Sequence, residues 1–128
     1  MTSKQAVDTF VAQKQIAVVG VSRSGKKFGN MAYRELKSRG YQVFPVHPSA
    51  ATLEGDRAYA SMKDLPAGIG GVVAVVPPAS TVKVVEEAHA AGISRIWMQQ
   101  GSESKEALRL CQDYGMEVVH GECILMFA

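Results

Sequence analysis

Short runs of uniformly apolar residues alternate along the chain with longer stretches whose apolar positions recur every three or four residues. Residues 16–20, 41–46, 71–76, 93–98 and 116–120 form the first kind. Such runs read as strands buried on both faces, as in a parallel sheet covered by helices. The second kind predicts four helices. One carries Ala6, Val7, Phe10 and Val11 on a single stripe, with Ser3 as its cap. Another spans residues 30–39, with Ala32, Tyr33 and Leu36 inward and Gly40 after its end. A third runs over residues 80–91, capped by Ser80, with Val82, Val85 and Ala88 inward and Gly92 closing it. The last starts at Ser102 or Ser104, carries Ala107, Leu108 and Cys111, and closes at Gly115. Pro77-Pro78 terminates the third strand, because proline cannot donate to a sheet ladder. Residues 48–71 are the least regular, with a short turn expected near residues 61–65. The pattern predicts an α/β sandwich of three layers: a mostly parallel five-stranded sheet with helices on both faces.

The length of 128 residues suits one domain, 1–128, and the apolar fraction of 47% suffices for a packed core. A formal charge of +2 is far from the basic excess of a protein that tracks nucleic acid, which leaves room only for a local basic site. Cys111 and Cys123 sit in apolar surroundings and read as reduced thiols. Residues 1–15 lack the continuous apolar stretch of a secretory signal, and the longest apolar run, 68–79, is shorter than the ~20 residues that cross a bilayer. The chain therefore reads as cytoplasmic, with no membrane and no nucleic acid among its partners.

In an open parallel sheet, ligands bind beyond the carboxyl ends of the strands. The loop after the first strand is the most informative of those ends: Gly20-Val21-Ser22-Arg23-Ser24-Gly25-Lys26-Lys27-Phe28-Gly29-Asn30. Its glycines allow backbone approach, Arg23, Lys26 and Lys27 supply charge, and the helix that follows adds the partial positive charge of its N-terminus. This loop suits a phosphate. Gly20, Gly25 and Lys26 satisfy part of a P-loop, yet Lys27 stands where a magnesium-binding hydroxyl belongs. A dinucleotide fingerprint would need glycine at Ser22 and a carboxylate ending the second strand, which instead closes Pro45-Val46-His47-Pro48. NAD is disfavoured on both counts.

Five motifs in order, G-V-S-R-x-x-x-K-x-G-N, V-x-P, V-V-P-P, W-M-Q-x-G and a terminal G-x-C, resemble the small CoA-binding domain proteins. These are stand-alone relatives of the N-terminal CoA-binding domain of the succinyl-CoA synthetase α subunit. The resemblance covers residues 9–126 and implies a Rossmann-like fold with coenzyme A at the carboxyl edge of the sheet. It places Gly20, Ser22, Arg23, Ser24 and Lys26 or Lys27 at the phosphates, with Asn30 at the start of the helix beneath them. It sets Val46, His47 and Pro48 against the nucleotide, and Val76, Pro77 and Pro78 as an apolar shelf for adenine. Gln99, Gln100 and Gly101 would line the way to the pantetheine arm. Synthetases of this kind pass a phosphoryl group through a histidine in a second domain; His47, His89 and His120 do not match that context, so the resemblance transfers binding without the reaction.

Other residues read more plainly. His47 either hydrogen-bonds the nucleotide or caps its own loop. Cys111 belongs to the core, and Cys123 either packs as a small apolar residue or approaches the CoA thiol. Trp97 and Met98 are packing residues. The tail Ile124-Leu125-Met126-Phe127 is a final core segment or, failing that, a homodimer contact. No carboxylate pairs with a His or Cys in a catalytic or metal-binding constellation. The expected function is binding of coenzyme A or acyl-CoA by a module without catalysis of its own. The alternative is an NAD(P)-binding small oxidoreductase, or a transferase subunit that borrows catalytic groups from an unidentified protein partner.

Overall fold

A computed structural model describes residues 3–128. Five parallel strands form one sheet: β1 (Gln15–Val19), β2 (Gln42–Val46), β5 (Gly71–Ala74), β6 (Arg95–Gln99) and β7 (Glu117–Glu122), in the order β2-β1-β5-β6-β7. β3 (Thr52–Leu53) and β4 (Asp56–Arg57) make a separate antiparallel hairpin after β2. The helices are α1 (Lys4–Val11), α2 (Phe28–Ser38), α3 (Pro78–Ala90) and α4 (Lys105–Tyr114). This is the three-layer Rossmann-like α/β fold that the alternating pattern predicts.

Alternate residues of each strand feed opposite cores. Ile16, Val18, Val43, Val73, Trp97 and Val119 pack with Phe10 of α1 and Tyr33 and Leu36 of α2. Ala17, Val72, Ala74, Ile96 and Met98 pack with Val84, Val85 and Ala88 of α3 and Ala107 and Cys111 of α4. With helices on both sides, no strand of the centre needs a polar face, which is why those runs are continuously apolar. Trp97 is fully buried, edge-to-face on Phe10 at 5.4 Å between ring centres, and its indole N–H donates to the Glu122 carbonyl at 3.1 Å.

The strand order reverses at β1. The chain goes from β1 outward to β2, then returns to β5 on the other side of β1. The carboxyl ends of β1, β2 and β5 therefore surround a crevice in which neighbouring connections leave in opposite directions. β2 is an outer strand, and its free edge is blunted: Pro45 has no N–H, its carbonyl accepts from the Tyr59 N–H at 2.9 Å, and the Val43 carbonyl accepts from the Tyr33 hydroxyl at 3.2 Å.

Several boundaries differ from the sequence reading. Ser3 caps α1 as expected, its hydroxyl accepting from the Ala6 N–H at 3.1 Å. Ser80, by contrast, does not cap α3. The helix starts at Pro78 with Pro77 before it, because proline's fixed φ and missing N–H suit a first helical turn. Its buried stripe is consequently Thr81, Val84, Val85 and Ala88, with Val82 only half-buried. Ser104 caps α4 by accepting from the Ala107 N–H at 3.1 Å. The expected turn near 61–65 is a single 3-10 turn, Met62–Asp64. In the tail, Ile124 is buried whereas Met126 is 78% exposed.

Candidate functional site

The loop between β1 and α2 is folded tightly enough that glycine is required at two points. A Cβ at Gly20, whose φ is +116°, would run into the Val75 carbonyl oxygen, and one at Gly29 would run into the carbonyl of Gly20. The loop thus doubles back on β5 and on itself before α2 begins. Lys27 precedes the helix with extended backbone; no side chain caps α2 and no acidic residue occupies its first turn. The N–H groups there keep their donor capacity and the helix keeps its positive end for an anion. Arg23, Ser24, Lys26 and Lys27 are exposed around it.

Asn30 is wholly buried beneath this loop and organises it. Its Oδ1 accepts from the Ser22 N–H at 3.0 Å and from the Ser22 hydroxyl at 2.8 Å. Its Nδ2 donates to the Ser22 carbonyl at 2.8 Å and to Glu54 Oε2 at 2.7 Å. All of its hydrogen-bonding capacity is directed into the protein, so its part is to shape the loop. Ser22 and Ser24 hydroxyls lie 2.8 Å apart, and the Lys26 N–H donates to Ser24 Oγ at 3.2 Å.

Two recesses open side by side at this edge. One, of about 350 Å³, is lined by Ser22, Arg23, Gly25 and the segment from Ser49 to Glu54. Arg23 reaches across it to donate to Ser49 Oγ at 2.8 Å. The other, of about 440 Å³, is more apolar, with Val19, Val46, Pro48, Met62 and Val76 in its walls and Lys83 and Glu87 of α3 at its side. The chain passes from one recess to the other between Pro48 and Ser49. His47 makes that bend: its Nδ1 accepts from the N–H groups of Ser49 at 3.1 Å and Ala50 at 3.0 Å. Of the two roles open to His47, loop capping is visible directly.

Of the remaining expected residues, Pro77 and Pro78 are exposed at the start of α3 rather than in the walls of the apolar recess. Gln99 is buried, and its side-chain oxygen accepts from the Ile124 N–H at 3.0 Å, so it anchors the C-terminal segment. Gln100 and Gly101 are exposed beyond it. Ser102 closes the gap between two strand ends: its hydroxyl accepts from the Val76 N–H at 3.1 Å, and its carbonyl accepts from Thr81 Oγ1 at 2.6 Å. Cys111 is core, and burial pushes its thiol up to about 11, while Cys123 is half-buried.

Sequence reasoning missed Arg34, Glu54 and Asp56. Glu54 accepts from Arg34 Nη1 at both carboxylate oxygens, 3.0 and 2.9 Å, and the same nitrogen contacts the Gly25 carbonyl at 3.2 Å. The Asn30 amide, with Arg34 beside it, holds the Glu54 carboxyl below the usual carboxylate range. Asp56 is lowered likewise, first by Lys37 at 2.7 Å and then by the Tyr33 hydroxyl at 2.6 Å. Positive φ at Gly55 was the only local signal of the hairpin that carries these acids.

Comparison with known proteins gives a consistent set of relatives. Residues 14–128 match the CoA binding domain family. The α subunit of the ADP-forming acetate–CoA ligase II of Pyrococcus furiosus is 27% identical over 129 residues, covering 92% of this chain but only 28% of the ligase subunit. YneT, an uncharacterized protein of Bacillus subtilis, is 29% identical over 111 residues, covering 87% of this chain and 82% of its own length. A solved structure of a conserved hypothetical protein from Pyrococcus furiosus superposes with a TM-score of 0.85 at 37% identity, covering 90% of this chain and 99% of that one. Among the described residues no helix is long and apolar enough to cross a membrane.

Proposed function

The chain belongs to the CoA-binding domain family, and on that premise we propose that it binds coenzyme A or an acyl-CoA at the carboxyl edge of its sheet, as a binding module without catalytic groups of its own. The observation that carries this reading is the adjacency of a cationic, donor-rich recess at Arg23 and an apolar recess at Val46, Pro48 and Val76. A coenzyme A molecule has matching halves. Its phosphates suit Arg23, Lys26, Lys27 and the uncapped start of α2, and its adenine suits the apolar walls. The pantetheine arm would then run towards Gln100 and Gly101. The half-buried Cys123 and buried Cys111, both free thiols, accord with a reducing, cytoplasmic setting.

The nicotinamide alternative gains little. Glu54 is the carboxylate nearest the role of a ribose acceptor, yet Arg34 and Asn30 already engage it.

A thermal-shift panel with CoA, NAD, NADP and ATP tests the proposal. A ligand present at a hundredfold excess over its Kd stabilises the native state by about 2.7 kcal/mol. CoA should give the largest shift. If NADP or ATP gives a larger one, the assignment is wrong.

A further inference from the structure

The β3–β4 turn puts a glutamate in a conformation that glutamate disfavours. Glu54 has φ +53°, and among the described residues it is the one non-glycine with positive φ. Gly55 follows with φ +79°. Two successive positive values belong to the tight hairpin turn that favours Asn-Gly or Gly-Gly. Asparagine is tolerated there because its short side chain bonds locally, and glutamate lacks that compensation. The Glu54 side chain instead reaches over to α2 and is only 14% exposed. It receives Asn30 Nδ2 at 2.7 Å and Arg34 Nη1 at 2.9 Å.

Those two partners grip the loop at separate points. Asn30 holds Ser22 by its N–H and carbonyl, and Arg34 touches the Gly25 carbonyl. Arg23 and Ser24 lie between. A strained backbone kept by a side chain that serves a neighbouring loop points from the outlier to a function.

We propose that Glu54 is a positioning residue for the coenzyme: through Asn30 and Arg34 it fixes the two ends of the Ser22 to Gly25 segment, so that Arg23 and Ser24 are presented to phosphate. This rests on the coenzyme reading above. The charges around Glu54 are consistent with it. Arg34 of α2 neutralises the carboxylate, Asp56 on the same hairpin is paired with Lys37, and Arg23 lines the same recess. An unpaired carboxylate at this place would repel the phosphate that the loop is shaped to receive.

Glu54→Asn separates positioning from folding, because asparagine suits the turn but is too short to reach α2. Its thermal midpoint should equal or exceed that of the parent. Its Kd for CoA by calorimetry should rise about tenfold, the size of one charge-assisted hydrogen bond. In the ligand-free protein, amide hydrogen exchange over residues 22–26 should quicken. Glu54→Gln, which keeps the reach and one acceptor, should recover most of the affinity and protection. Parent-like affinity and exchange in Glu54→Asn would overturn the proposal, and so would a loss of affinity matched by a loss of stability. If the parent itself takes up no CoA, the coenzyme reading fails; the exchange arm then decides positioning alone, upheld by quickening and overturned by its absence.

Discussion

Asn30 and Ser22 are joined by three hydrogen bonds: the Asn30 amide takes the Ser22 N–H and hydroxyl on its oxygen and gives its own N–H to the Ser22 carbonyl. One buried side chain at the start of α2 thereby replaces the backbone partners that a loop residue would otherwise seek in water. The loop is preorganised by its own sequence, and binding energy need not be spent on ordering it.

Asn30→Ala removes this arrangement and leaves the Ser22 backbone groups short of partners in a buried place. The expected loss is about 1–3 kcal/mol of folding stability. A urea titration reads it as a lower midpoint at unchanged slope. An unaltered midpoint would mean that the clamp contributes nothing.

Arg23→Ala should behave oppositely. Arg23 is exposed and its one hydrogen bond within the protein is to Ser49 Oγ. Stability should stay within about 0.5 kcal/mol of the parent. CoA affinity should fall at least about tenfold, as expected for a lost charged contact to phosphate. Equal affinities by calorimetry would remove Arg23 from the site.

His47 offers a test by mimicry. Its Nδ1 accepts two backbone N–H groups, a role that an asparagine oxygen can also fill at a turn. His47→Asn should keep both stability and CoA affinity near the parent, whereas His47→Ala should lose about 1 kcal/mol and loosen the bend between the two recesses. If both variants bind CoA equally weakly, the imidazole itself touches the nucleotide.

The strands and helices were legible because two cores, one on each face of the sheet, demand continuously apolar strands and single-striped helices. The glycine-rich loop was legible too, since Gly20 and Gly29 mark close approaches that no other residue survives. What stayed hidden depends on long-range pairing. Glu54 lies 24 residues from Asn30 and 20 from Arg34, and strands as short as Thr52–Leu53 and Asp56–Arg57 leave no periodicity to read. Asn30 and Gln99 were rightly singled out as unusual polar residues, but spacing alone could not tell that their amides face inward, to Ser22 and to Ile124. Pro77-Pro78 satisfied two rules at once, strand termination and helix initiation, and the second fixed where α3 begins.

Acid should weaken the hairpin. Glu54 and Asp56 are both held below the ordinary carboxylate range, so the unfolded chain binds more protons than the folded one as that range is entered. Their stabilisation is complete above the unfolded values and is lost as pH falls through the lowered, folded ones. Melting temperatures measured from about pH 6 to about pH 3 should therefore fall less steeply for Asp56→Asn than for the parent. Identical slopes would show that Lys37 and Tyr33 do not hold Asp56 as described.

The most direct test of coenzyme binding is a crystal structure of the protein soaked with coenzyme A. The expected density puts the phosphates within hydrogen-bonding distance of Arg23, Ser24 or the first N–H groups of α2, with adenine against Val46, Pro48 and Val76. Coenzyme bound elsewhere, with Arg23, Lys26 and Lys27 left in solvent, would contradict it.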